Sequence, residues 1–277
     1  MSCLFVDHLT VIDCAYLDAA RGLVGESWIV DLELEGELDA QSMVLDFGEV
    51  KRRIKRAIDD GPDHTLIVPT EAPGLHLDLS TAECRLTFTC ERGVIRHESP
   101  GLALTLLPVA AVSAEAVATH LQSVLRPVVP TSVQRVGLTL RPEVIEGAYY
   151  HYVHGLKKHD GQCQRIAHGH RSRIEVKVDG ERDGALEAAL AEAWRDIYIG
   201  SREDLQQQRD GQIDFAYRAA EGRFTLSLPA AHCDVIDHDS TVECLAEVLQ
   251  TRARALRPGR IIEVRAFEGV RKGAVAR

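Results

Sequence analysis

The chain has 277 residues, 30.5 kDa and 45% apolar side chains, enough to bury a sizeable core in one large domain or two of ordinary size. Its 42 Asp and Glu outnumber 32 Lys and Arg, a formal net charge of −10, which argues against a nucleic-acid partner and obliges any anionic ligand to find a local basic patch. No window approaches the ~20 consecutive apolar residues of a membrane span, and the first residues lack the pattern of a signal peptide, so the expectation is a soluble cytoplasmic protein without a membrane partner.

In chain order, Val30, Leu32 and Leu34 alternate with Asp31, Glu33 and Glu35, the period-two pattern of a half-buried strand. Phe47, Val50, Ile54, Ala57 and Ile58 then recur at helical spacing among Lys51, Arg52, Arg53, Lys55 and Arg56. Residues 84–90 and 102–107 read as a hairpin, 114–125 as a second helix and 135–140 as a closing strand. After Pro142 and Glu143 the same order returns: a strand in which Ile174, Val176 and Val178 alternate with Glu175, Lys177 and Asp179, a helix over 185–199, a hairpin of 212–217 with 223–228, a helix over 242–256 and a strand over 260–267. Each half is an α+β unit with paired strands and two helices.

The halves also match as sequence. Residues 11–16 (VIDCAY) resemble 144–149 (VIEGAY), 25–36 share the apolar phase of 169–180, and Glu115 before a run ending Leu125-Arg126-Pro127 parallels Glu243 before one ending Leu256-Arg257-Pro258. Three matches in the same order point to duplication, with units over 1–143 and 144–277. The seven cysteines are scattered without a Cys-x-x-Cys pair, so reduced thiols are expected and a structural thiolate zinc site is not.

The strongest chemical signal is His168-Gly169-His170 at the start of a strand. Residues i and i+2 of a strand share a face with Cα atoms ~6.5 to 7 Å apart, so two imidazoles there can converge on one ion. A third His on a neighbouring strand would complete a three-histidine zinc site with one position open for a substrate oxygen. His151, after Ala148-Tyr149-Tyr150, is the natural candidate, with His154 and His159 as rivals. Lys157, Lys158, Arg165, Arg171 and Arg173 crowd this segment with Asp160 opposing them, a patch able to lower the pKa of Cys163 and to hold a polyphosphate.

The tract His151, Gly155, Gly161-Gln162-Cys163, His168-Gly169-His170 and Arg173-Ile174-Glu175-Val176 resembles the zinc and nucleophile region of the 6-pyruvoyl-tetrahydropterin synthase and 6-carboxytetrahydropterin synthase family. Residues 43–51 (MVLDFGEVK), Asp63-His64-Thr65-Leu66 and the C-terminal Phe267-Glu268-Gly269 are similar to further parts of it. The resemblance implies two tandem tunnelling-fold units (ββααββ), here with inserted hairpins, whose antiparallel sheets associate into a barrel in a homo-oligomer. It implies a Zn²⁺ cofactor, a pterin triphosphate substrate (7,8-dihydroneopterin triphosphate) and lyase chemistry, with 6-carboxytetrahydropterin as the expected product and 6-pyruvoyl-tetrahydropterin as the nearest rival. A regulatory pterin-binding protein without catalysis is the reading from another class.

Carried onto this chain, the resemblance makes His151, His168 and His170 the metal ligands, Cys163 the base and Glu268 the pterin anchor. Thr241 and Glu243 match a Thr-x-Glu at the second helix, and Arg171 stands with the basic residues expected at the substrate. An Asp-His pair relays protons: Asp63-His64 in the first half, or Asp237-His238 in the second. Matching the halves sets His151 against Asp18, His168 against Val24 and His170 against Glu26, so the first half lacks the zinc ligands. The expectation is a divided enzyme, with the second half holding metal, thiolate and pterin and the first lending Asp63 and His64.

Overall fold

The computed structural model describes residues 1–38, 42–81 and 83–277. The first half runs β1 (Ser2–Asp18), β2 (Gly22–Gly36), α1 (Phe47–Asp59), β3 (Leu66–Pro69), β4 (Leu75–Asp78), β5 (Glu83–Cys90), β6 (Gly93–Pro100), β7 (Leu104–Leu107), α2 (Ala114–Leu125) and β8 (Val133–Pro142). The second runs β9 (Tyr149–His154), β10 (His168–Val178), β11 (Glu181–Arg182), α3 (Gly184–Ala193), β12 (Ile197–Ser201), β13 (Leu205–Arg209), β14 (Gln212–Ala219), β15 (Gly222–Pro229), β16 (Cys233–Ile236), α4 (Val242–Leu256), β17 (Ile262–Phe267) and β18 (Gly273–Ala276). Among the described residues this is a mixed α+β chain with four α-helices.

Two sheets repeat one strand order. The first is β7-β3-β1-β2-β8 and the second β16-β12-β9-β10-β17-β18, with β11 added to β10. Each centres on a long antiparallel pair, and each adds a parallel strand beside it, β3 on β1 and β12 on β9. Helices cover each sheet with their own core. Val50, Ile54 and Ile58 form a four-residue-spaced stripe on α1 that buries with Leu121 and Leu125 of α2 against Val30, Leu32 and Leu34. Leu186 and Leu190 of α3 and Leu245 and Leu249 of α4 bury likewise against Ile174, Val176 and Val264. All four helices start at side-chain caps: Asp46, Ser113, Asp183 and Thr241 accept backbone N–H groups of the first turn.

The two inserted hairpins join. Strands β4, β5 and β6 continue through β15 into β14 and β13, and the joint pairs His97 with Leu226. Leu86, Phe88, Ile95, Phe215, Phe224 and Leu226 pack from this sheet onto Ala15, Leu17 and Leu23 of the first half and Val153, Ile166 and Tyr198 of the second. A shared apolar core therefore sews the halves together.

Two sequence expectations are corrected. Residues 84–90 pair with β6, while Leu104–Leu107 leaves the hairpin to lie parallel to β3. The helix expected over 185–199 stops at Ala193: Trp194 caps it, Asp196 takes a left-handed φ of 52°, and Ile197–Ser201 continues as a strand between β9 and β16. A β-branched, alternating Ile197-Tyr198-Ile199 gains more from two parallel partners than from extending a helix into solvent.

Candidate metal and catalytic site

Strand register decides which histidines meet. On β9 and β10, His168 lies opposite His154, His170 opposite Tyr152, and His151 opposite Arg171. Successive side chains of a strand alternate between faces, so His154 shares the face of His168 and His170 and His151 points away. The ring nitrogens of His154, His168 and His170 lie within 4.8 Å of one another, with Nε2 of His154 and His170 3.2 Å apart. The rival His154, and not the expected His151, therefore joins the pair: His151 Nδ1 stands 2.7 Å from the Gly25 carbonyl oxygen and 3.9 Å from Glu26.

The three convergent rings are buried, and two of them hydrogen-bond through Nδ1. His154 Nδ1 stands 3.0 Å from the Ser240 carbonyl oxygen, His168 Nδ1 2.9 Å from that of Arg165, and His170 Nδ1 3.1 Å from Oδ1 of Asp13. Among the described residues His168 Nε2 and His170 Nδ1 are buried without a hydrogen-bond partner, the latter beside the Asp13 carboxylate. Burial, joined by the neighbouring imidazoles, pushes the pKa of His154 and His168 well below the usual range and favours neutral rings. Three imidazoles turned inward, two of them held neutral and one with an orphaned Nε2, fit a bound divalent cation. The buried carboxylate beside them, Asp13, is pushed up by burial, but His170, Lys272 and Ser27 reverse this and hold it well below the ordinary range.

The thiol and the dyad come to the same place from opposite halves. Cys163 sits in the 155–167 loop between β9 and β10, and its Sγ lies within 4.8 Å of ring nitrogens of both His64 and His168. His64 Nδ1 stands 2.8 Å from Oδ2 of Asp63. Burial alone would lower the His64 pKa; hydrogen bonds to Asp63 and Cys163 outweigh it and raise the pKa to about 10. The His64 backbone, at a left-handed φ of 53°, is held by its N–H donating to the Asp13 carbonyl oxygen at 2.7 Å. The rival pair Asp237-His238 is exposed, with Asp237 paired to Arg202.

Cys163 and His64 open onto a cleft of about 400 Å³ that Asp63, Asp13, Lys55 and Lys272 also line. Glu268 stands beside it on the hairpin between β17 and β18: its N–H donates to the Lys272 carbonyl oxygen at 3.0 Å, and its Oε2 lies 3.8 Å from Lys272 Nζ. Thr241 caps α4, and Glu243 is an exposed residue of its first turn.

The basic patch expected to receive an anion is answered inside the chain. Lys157 pairs with Asp204 and Glu203, Lys158 with Glu203 and Asp239, and Arg165 with Glu221. Arg171 stacks on Tyr149 and donates to the Glu143 carbonyl oxygen, while Arg173 covers Phe267 and faces the Glu143 carboxylate. Their acidic partners lie up to 81 positions away in the sequence, so a local count of charge misses them. Sequence reading also missed Asp13 and Lys272, whose partners belong to the opposite half or a distant hairpin.

A family model described as 6-pyruvoyl tetrahydropterin synthase matches the chain twice, over residues 14–144 and 143–277. Among solved structures, a variant of the Plasmodium vivax 6-pyruvoyltetrahydropterin synthase altered at a catalytic residue is 22% identical, with a TM-score of 0.42 over 50% of this chain and 90% of that one. The Plasmodium falciparum 6-pyruvoyl tetrahydropterin synthase is 19% identical, with a TM-score of 0.41 over the same shares. None of the curated proteins matches the chain.

Proposed function

The chain belongs to the 6-pyruvoyl tetrahydropterin synthase family, lyases acting on pterins, and on that premise we propose a zinc-dependent synthase converting 7,8-dihydroneopterin triphosphate to 6-carboxy-5,6,7,8-tetrahydropterin, a deazapurine and queuosine precursor. The observation that carries this reading is the meeting of the first half's Asp63-His64 with the second half's Cys163 beside three convergent imidazoles. Units over 1–143 and 144–277 then divide the work, the first supplying the dyad and the second the metal and the thiol.

His154, His168 and His170 would hold the zinc, which supplies a Lewis acid that acidifies the side-chain hydroxyls of the pterin. Cys163 is the base for the proton released. His64, protonated and paired to Asp63, stabilises the thiolate, gives its proton to the substrate and then takes up the one accepted by Cys163, while Asp63 fixes the ring orientation. Glu268 accepts N–H donors from the aminopyrimidine edge of the pterin. Lys55, paired to Asp59, and Lys272, paired to Asp13 and Glu268, are the cations that line the cleft and would meet the triphosphate there. The outer strands β7, β8, β16 and β18 offer free edges through which chains associate into the barrel of a tunnelling fold.

The test is incubation of zinc-loaded protein with 7,8-dihydroneopterin triphosphate and mass analysis of the product. The 6-carboxy product is expected; a 6-pyruvoyl product would assign the sibling activity, and no turnover with stoichiometric zinc would make the chain a binding protein. His64→Ala should slow turnover about 10²- to 10⁴-fold while His238→Ala stays near wild type; the reverse result removes the divided site.

A further inference from the structure

Asp13 is an aspartate of β1, in the half without the histidine cluster, and only 3% exposed. A carboxylate this deep persists because it is fully partnered, and its partners converge on one place. Oδ1 lies 3.1 Å from His170 Nδ1 and accepts from the Ser27 hydroxyl, while Oδ2 lies 3.3 Å from Lys272 Nζ. Its backbone N–H donates to Asp63 Oδ1 at 2.8 Å, and its carbonyl oxygen accepts from the His64 N–H at 2.7 Å. One residue therefore touches a proposed metal ligand with its side chain and both members of the dyad with its main chain.

The three imidazoles are not supported alike. His154 and His168 hydrogen-bond through Nδ1 to backbone carbonyl oxygens, whereas His170 Nδ1 has no hydrogen-bond partner among the described residues and lies 3.1 Å from the Asp13 carboxylate as an ion-pair contact. A carboxylate on the rear nitrogen fixes the Nδ1–H tautomer, leaves the Nε2 lone pair for the metal and raises the ligand's basicity. The surroundings are shaped to admit that carboxylate: Gly269 takes a left-handed φ of 65°, and a Cβ there would come within 2.5 Å of Asp13 Oδ1. The Gly269 N–H is held by Ser172 Oγ at 3.0 Å, so the hairpin carrying Glu268 and Lys272 closes directly over Asp13.

We infer that Asp13 is a positioning residue by which the first half orients His170 of the second and registers the Asp63-His64 dyad against the metal. The half without metal ligands is thereby part of the metal site's support. This rests on reading His154, His168 and His170 as the ligands, and the experiment separates the two claims. Zinc affinity of the apo-protein is measured by competition with a chromophoric chelator for wild type, His154→Ala and Asp13→Asn. Asp13→Asn should bind zinc about 10- to 100-fold more weakly, with the melting temperature of its apo form close to that of wild type. A long-range ¹H–¹⁵N correlation spectrum of zinc-loaded wild type should show His170 bound through Nε2 and protonated at Nδ1, a readout available even if Asp13→Asn does not fold. An Asp13→Asn affinity within twofold of wild type, or coordination of His170 through Nδ1, overturns the role of Asp13. Wild-type protein that binds no zinc, or a His154→Ala variant that binds it as well as wild type, overturns the ligand reading beneath it.

Discussion

The two halves place matched residues in matched positions and fill them with different chemistry. Ala15 pairs with Gly25 as Val153 pairs with Gly169, so Asp13 is the counterpart of His151, Tyr16 of His154, Val24 of His168 and Glu26 of His170. Leu66 pairs with Ala15 as Tyr198 pairs with Val153, which makes Asp196 the counterpart of His64; both have φ near 50°. Across the joint the same carboxylate-imidazole pair occurs twice with roles exchanged: Asp13 with His170 at 3.1 Å, and Glu26 with His151 at 3.9 Å.

Where the second half's β9 and β10 gather three imidazoles and a thiol beside the first half's dyad, the first half's β1 and β2 meet Asp196 of the second in an ion-paired plug. The loop that carries Cys163 is reduced to a turn, and Arg21 from that turn binds Tyr16 and Asp196, with Arg92 on the same carboxylate. Duplication preserved the packing frame, and the chemistry diverged inside it. Glu26 shows the residue of this history: burial, only partly offset by the Ser27 N–H and by Arg171 and Arg21, pushes its pKa up to about 7.

The largest effect should come from the ligand exchange. His154→Ala is expected to weaken zinc binding by at least 10²-fold, whereas His151→Ala, on the face turned to Gly25, should leave it within about twofold in a chelator titration. Equal losses in both variants would restore His151 as a ligand and break the register argument.

Next comes the joint. Gly25 and Gly169 are matched positions that also touch: a Cβ on Gly25 would lie 1.9 Å from the Tyr152 carbonyl oxygen, and one on Gly169 2.7 Å from Gly25 Cα. Neither backbone can give way, so Gly25→Ala should lower stability by roughly 3 to 5 kcal/mol or prevent folding. Urea denaturation measures it, and a loss under about 1 kcal/mol would mean that the halves do not meet there.

A smaller effect is expected in the plug. Arg21→Ala strips one of two guanidinium partners from the buried Asp196 and should cost about 1 to 2 kcal/mol. Zinc stoichiometry should not change, because no atom of the plug belongs to the histidine cluster; a variant that loses zinc would show the two sites to be coupled.

The last difference is visible in acid. His97 pairs with its own counterpart, Leu226, where the hairpin sheets join, and burial lowers its pKa to about 4. The folded state keeps the ring neutral while the unfolded chain protonates it below about pH 6.5, so this site's contribution is complete above that pH and is lost as pH falls towards 4. His97→Leu, which makes the joint symmetric, should remove up to roughly 3 kcal/mol of acid sensitivity over that window. Parallel unfolding curves of variant and wild type between pH 7 and 4 would sink this assignment.

The sequence by itself determined the elements and their repetition. Period-two and period-3.6 patterns located β2, β10 and the spans of α1, α2 and α4, though not the long strand β1, and the phase of 25–36 against 169–180 survives in the strand register. His168 and His170 were legible as a pair because i and i+2 on one strand must share a face. The third member of the cluster was not, since whether His151 or His154 shares that face depends on the register of β9 against β10, which neither strand's own pattern carries. The meeting of Asp63-His64 with Cys163 rested on resemblance until the fold placed them together. Asp13, the pairing of the basic residues with distant carboxylates, and the plug at Arg21 carried no local signal at all. Their partners lie in the other half or on remote loops, and contacts of that kind exist only once the halves have closed on one another.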